Sequence, residues 1–102
     1  MTDVPVACTL GPAALEARRE QRLSRLTGLV TAREALDNGL RLRFAASGDE
    51  TLPVIARAMD AERRCSRFLH VQVTVHPDEG PIVLELTGPT GTREFLSARI
   101  AP

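Results

Sequence analysis

Along this chain the spacing of apolar residues switches between a period of two and a period of about 3.6, and the switches mark the elements. Val4, Val6, Cys8 and Leu10 alternate with Pro5, Ala7 and Thr9, a short strand pattern broken by Gly11-Pro12. On that alternation Cys8 shares the valine face and points inward. From about Pro12 to Leu26 the spacing predicts a helix. Pro12 suits its first turn, Leu15, Leu23 and Leu26 form the apolar stripe, and Gly28 supplies the stop. Arg18, Arg22 and Arg25 lie together on the polar side, the pattern of a solvated helix face.

Residues 30–36 and 40–46 flank Asp37-Asn38-Gly39, and Asn-Gly is a strong hairpin signal. Leu40, Leu42 and Phe44 alternate with Arg41 and Arg43, so one face is core and the other polar. The arm from Val30 to Leu36 is a weaker strand pattern that also fits a continuation of the preceding helix. Ser47-Gly48-Asp49-Glu50 has the form of a capping box and opens a helix to about Arg64, with Pro53 in its first turn. Leu52, Val54, Ile55, Ala58 and Met59 are its expected buried stripe, and the same period carries Glu62 and Cys65 to its C-terminal end.

The clearest strand follows. Leu69, Val71, Val73 and Val75 alternate with His70, Gln72, Thr74 and His76. Pro77-Asp78-Glu79-Gly80 is turn chemistry, and Ile82, Leu84 and Leu86 alternate with Val83, Glu85 and Thr87 in the returning strand. A run of glycine and threonine, Thr87 to Thr92, leads to a short helix carrying Phe95, Leu96 and Ile100. The expected order is βα-ββ-α-ββ-α. Hairpins separated by helices predict an α+β fold, a two-layer sandwich with helices on one face of a mostly antiparallel sheet. The opposite face is open to a partner and carries Arg41, Arg43, His70, Gln72, Thr74, Glu85 and Thr87.

Composition narrows the function classes. A chain of 102 residues fits a single domain, residues 1–102, and its 43% apolar content is ordinary for a globular protein. Thirteen cationic side chains, all arginine, balance thirteen anionic ones. Neutrality argues against a nucleic-acid partner, whose phosphates need a net basic surface. The absence of tyrosine and tryptophan removes the usual stacking platforms for single strands. No apolar run reaches membrane-spanning length, and the N-terminus lacks a signal pattern, so a cytoplasmic, reducing location with free thiols is expected.

Candidate chemistry is sparse. His70 and His76 lie on one face of one strand but about 20 Å apart, too far to share a metal within one copy. The Thr87–Thr92 glycine run has neither the Walker lysine nor dinucleotide-binding spacing. No spacing selects a catalytic set, and no organic cofactor is indicated, so enzymatic activity is the least favoured class. An enzyme would need a concave pocket around His70, Gln72, Thr74 and Glu85.

The cysteines remain. Two thiolates, Cys8 and Cys65, suffice for a soft ion such as Hg(II) or Cu(I). Arg63, Arg64 and Arg67 flank Cys65 and would favour its thiolate, while its place at a helix C-terminus opposes it. Buried, inert cysteines are the competing interpretation.

Three segments bear on that choice: Ala7-Cys8-Thr9-Leu10, Glu62-Arg63-x-Cys65-x-x-Phe68, and Leu86-Thr87-Gly88-Pro89-x-Gly91-x-x-Glu94-Phe95. Together they resemble a family of small bacterial proteins associated with mercury or arsenic resistance loci. A similar segment is appended to some mercury-sensing-type regulators. The resemblance implies adjacent cysteines in the middle motif, but here the second position is Ser66. A three-coordinate arsenic site then lacks a thiol, whereas a two-coordinate mercury site keeps both of its ligands. The expected functions are therefore a thiol-dependent metal-binding or sensing accessory protein, or a non-catalytic module that pairs with itself or another protein through the open sheet face or a sheet edge.

Overall fold

The computed structural model describes residues 13–45 and 50–100, with side chains from residue 17 onward. The strand expected at 4–10 with Cys8, the Pro12 helix start, the Leu15 side chain and the Ser47 capping position lie outside the described residues. Within them the order is α1 (Ala13–Thr27), β1 (Val30–Leu36), β2 (Gly39–Phe44), α2 (Thr51–Cys65), β3 (His70–Val75), β4 (Ile82–Thr87) and α3 (Thr92–Arg99). The four strands form one antiparallel sheet in the order β1-β2-β4-β3. The α+β class and the antiparallel sheet expected from the periodicity are what the fold has.

Register explains which face is core. Leu40 pairs with Leu86, Leu42 with Leu84 and Phe44 with Ile82, so the apolar rows of β2 and β4 fall in line. Leu23 and Leu26 of α1, Val54, Ile55, Ala58 and Met59 of α2, and Leu96 of α3 with Ile100 just beyond it pack onto those rows as one cluster. Burying such aliphatic side chains is worth about 1.5–3 kcal/mol each, and this cluster is what holds the helices to the sheet. The α2 stripe differs from expectation at one end. At about 100° per residue the buried positions gather around the line of Thr51, Ile55, Ala58 and Glu62. Leu52 falls on the margin of that line and is exposed.

Two turns exchange roles. The Asn-Gly signal marks a real hairpin, with Asp37 and Asn38 between the paired residues Leu36 and Gly39. Neither of those two residues nor Gly39 has a positive φ, however. Gly39 is needed for a different reason: a Cβ there would lie 1.9 Å from the Leu86 carbonyl oxygen. The left-handed turn sits instead between β3 and β4. Asp78 (φ 57°) and Glu79 (φ 56°) occupy its centre, closed by the Gly80 N–H donating to the Pro77 carbonyl at 3.1 Å. Two left-handed residues at the centre give the primed turn that matches strand twist.

The two sheet edges differ. β1 carries a register irregularity between Val30 and Ala32, and its Arg33 pairs with Leu42 on the helix-side face. A bulge and an inward charge are both devices that deter pairing with another chain. β3, His-Val-Gln-Val-Thr-Val, has neither bulge, proline nor formal charge. Its valines share the core-side face, yet Val73 is 40% and Val75 56% exposed. The helical layer stops short of this edge.

Candidate functional site

On the open face the strands lay out polar rows. Glu34 pairs with Arg41, Arg41 with Glu85, and Glu85 with Gln72, one row across all four strands. Arg41 joins it: Nε donates to Glu85 Oε2 at 2.8 Å and Nη1 to Glu34 Oε1 at 2.9 Å. Hydrogen bonds to Glu85 first and Glu34 second push the pKa of Arg41 above its usual value. The neighbouring rows hold Arg43, Val83 and Thr74 on one side, and Thr87 with His70 on the other. Arg41, Arg43, His70, Gln72, Thr74 and Glu85 thus lie in adjacent rows of this face. A depression of about 180 Å³ on this face is lined by Ala32, Arg33, Glu34, Arg41 and Arg43. Of the four residues expected to wall an enzymatic pocket, His70, Gln72, Thr74 and Glu85, it contains none.

The surroundings of Cys65 overturn an expectation. Cys65 closes the buried stripe of α2, has no exposed surface, and is disulfide-bonded rather than a free thiol. The only other cysteine in the chain is Cys8. Arg63 and Arg64 sit on other sides of the helix from Cys65, at about 100° per successive position. They face outward and both pair with Asp60, at 3.1 and 3.3 Å. Arg67 is exposed in the following turn.

A buried polar group beside Cys65 escaped the sequence reading. Arg19 Nη1 donates to Glu62 Oε2 at 2.8 Å, and Ser66 Oγ donates to Glu62 Oε1 at 2.8 Å. Arg19, Glu62 and Ser66 are all essentially sealed from solvent. Arg19 stands among four arginines of similar local pattern in α1, so only its position on the Leu23–Leu26 side of the helix hints at burial. Ser66, standing where the resemblance implies a second thiol, is the hydroxyl that helps hold a buried carboxylate.

Phe68, Gly88 and Phe95 of the middle and C-terminal motifs are packing partners. The Phe68 and Phe95 rings meet edge to face at 5.2 Å, and the Arg99 guanidinium lies 4.7 Å from the Phe95 ring centre. A Cβ on Gly88 would lie 2.6 Å from Thr92 Oγ1 and 3.1 Å from the Phe68 ring, so a side chain there would collide with both. The middle and C-terminal motifs thus touch each other. Among the described residues no group of three or more His, Cys, Asp or Glu could hold a metal ion, and no helix is long and apolar enough to cross a membrane.

Among the described residues, fold and site define a small α+β fold with one helix-covered sheet face, one polar face and a β3 edge that carries none of the guards of β1. No protein-family model, curated protein or solved structure matches the chain.

Proposed function

We propose that this protein is a non-catalytic interaction module that assembles with a second copy of itself by pairing their β3 edges. The observation that carries the reading is the contrast between a guarded β1 and an unguarded β3. His76 donates its N–H to the Pro81 carbonyl, continuing the β3–β4 ladder. In an antiparallel ladder alternate residues turn their backbone groups to opposite sides. Val71, Val73 and Val75 therefore direct their N–H and C=O groups to the outer edge, and the same residues carry the exposed apolar side chains.

A second copy fits this edge because the edge is complementary to itself. With Val73 on a two-fold axis, Val73 faces its own counterpart and Val71 faces the partner's Val75. Every outward group of the three valines then finds a partner, and their side chains merge into one apolar stripe. The two strands carry no formal charge to oppose the pairing. A two-fold, isologous contact of this kind is the commonest route to a dimer.

Sedimentation velocity of the full chain over a range of concentrations tests the reading. The expected result is a concentration-dependent dimer. Val73→Lys, which places two like charges on the axis at an exposed site, should give a monomer with an unchanged circular dichroism spectrum. A wild-type chain that stays monomeric throughout, or a Val73→Lys variant that still dimerises, overturns it. A longer apolar strand from another protein, added along the same edge, would register as a monomer that binds partners but not itself.

The soft-metal reading comes second, supported by the motif resemblance and by the presence of just two cysteines. It requires reduction of the bond at Cys65, as a cytoplasmic location would provide. Stoichiometric Hg(II) binding by reduced protein, lost in Cys8→Ala and in Cys65→Ala, is its expected result; equal binding by either variant removes it.

A further inference from the structure

The geometry of that edge pairing, on which this inference rests, points to two transition-metal sites that exist only in the dimer. We infer that each is built from His70 of one copy and the partner's His76, and takes a borderline ion such as Zn(II) or Ni(II).

Both histidines are exposed and both fall on the even, open-face side, His70 in β3 and His76 one residue beyond it, where its N–H still bonds to the Pro81 carbonyl. Within one copy they are about 20 Å apart and cannot share an ion. The register that satisfies all outward valine groups changes this. With Val73 on the axis, Gln72 faces the partner's Thr74 and His70 faces the partner's His76. Even-numbered residues bond to their own β4, as His76 does to Pro81. Across the new interface they are therefore non-hydrogen-bonded pairs, the closer class, with Cα atoms about 4.5 Å apart. Two imidazoles on one face at that separation can converge on a single ion at about 2.0–2.1 Å from each nitrogen. Water completes the coordination. Imidazole nitrogen selects Zn(II), Ni(II) or Cu(II) over Mg(II) and Ca(II), which prefer oxygen. Asp78 and Glu79, in the turn just after His76, add exposed negative charge beside each site.

A pairing with Gln72 on the axis sets Val75 opposite the partner's Leu69, whose N–H is already donated to the Ser66 carbonyl, and His70 opposite the partner's Thr74. The metal response therefore reports the register as well as the ligand.

The test is sedimentation velocity of the full chain with Ni(II) or Zn(II) against the same samples in EDTA. An ion that binds only the dimer should tighten self-association about tenfold per site when present at ten times its dissociation constant. His70→Ala or His76→Ala should each abolish the response, because each removes a ligand from both sites, while leaving dimerisation in EDTA unchanged. A dimer that forms but ignores the ions overturns the metal sites and leaves the edge pairing standing. A response that survives either substitution, or that persists in the Val73→Lys monomer, also overturns them by placing the ion elsewhere. No dimer under any condition defeats the edge pairing and the sites together.

Discussion

Arg19 of α1 and Glu62 of α2 lie 43 positions apart in sequence and meet at 2.8 Å with both side chains 1% exposed. The pair fastens the two helices together beneath the surface, and Ser66 holds the second carboxylate oxygen. Breaking one side of a buried pair strands a charge, whereas replacing both sides with apolar groups can be neutral. Glu62→Leu should cost about 3–5 kcal/mol in urea unfolding, and Arg19→Met/Glu62→Leu should recover most of that. Equal losses in the single and double variants would show that the charges are not coupled.

Gly39 offers a sharper test of the sheet. A Cβ at that position meets the Leu86 carbonyl oxygen at 1.9 Å and Thr87 Cα at 2.9 Å, so β2 and β4 would have to part. Gly39→Ala should cost about 3 kcal/mol, the upper end of ordinary single substitutions. Gly28→Ala, whose added carbon comes no closer than 3.5 Å to any neighbour, is the control. It should change stability by less than about 0.5 kcal/mol.

Glu79 is a place where the protein should be improvable. Its φ of 56° puts a long side chain in the left-handed region that glycine occupies freely. Such residues cost about 1–3 kcal/mol when held there. Glu79→Gly should raise the thermal midpoint, with a gain of about 1 kcal/mol after the extra entropy of an unfolded glycine is subtracted. An unchanged or lowered midpoint would mean that the turn relaxes in solution.

The bond at Cys65 is checked by mass spectrometry of the unreduced protein, which should find no alkylatable thiol there. A disulfide at such a position is worth about 2–4 kcal/mol of stability. Reduction should therefore lower the unfolding midpoint markedly, and Cys65→Ser should behave like the reduced wild type. A midpoint indifferent to reductant would assign the stability of α2 to its apolar stripe alone.

Periodicity was sufficient for the α+β class and for the polar rows of β2 and β4. Alternation of Leu40, Leu42 and Phe44 against Arg41 and Arg43, and of Ile82, Leu84 and Leu86 against Glu85 and Thr87, dictates which side of each strand is apolar. Placing those rows in register follows from burying them. That is why the open-face residues were legible as a set, and why the α+β class followed from local pattern alone.

What local pattern lacks is the identity of each neighbour. Asn38-Gly39 and Asp78-Glu79 are both plausible turn residues, and only the approach of β2 to β4 makes the first glycine a matter of space. The left-handed geometry falls on the second turn. Arg19 reads like the arginines around it until α2 brings Glu62 to meet it. Cys65 reads as a thiol among cations until packing turns the cations outward and seals the sulfur. Val73 and Val75 read as core until the helices are seen to stop short of β3. A side chain's periodicity sets the face it occupies, but its environment depends on what covers that face. Only the tertiary structure decides that, because the covering groups come from distant parts of the chain.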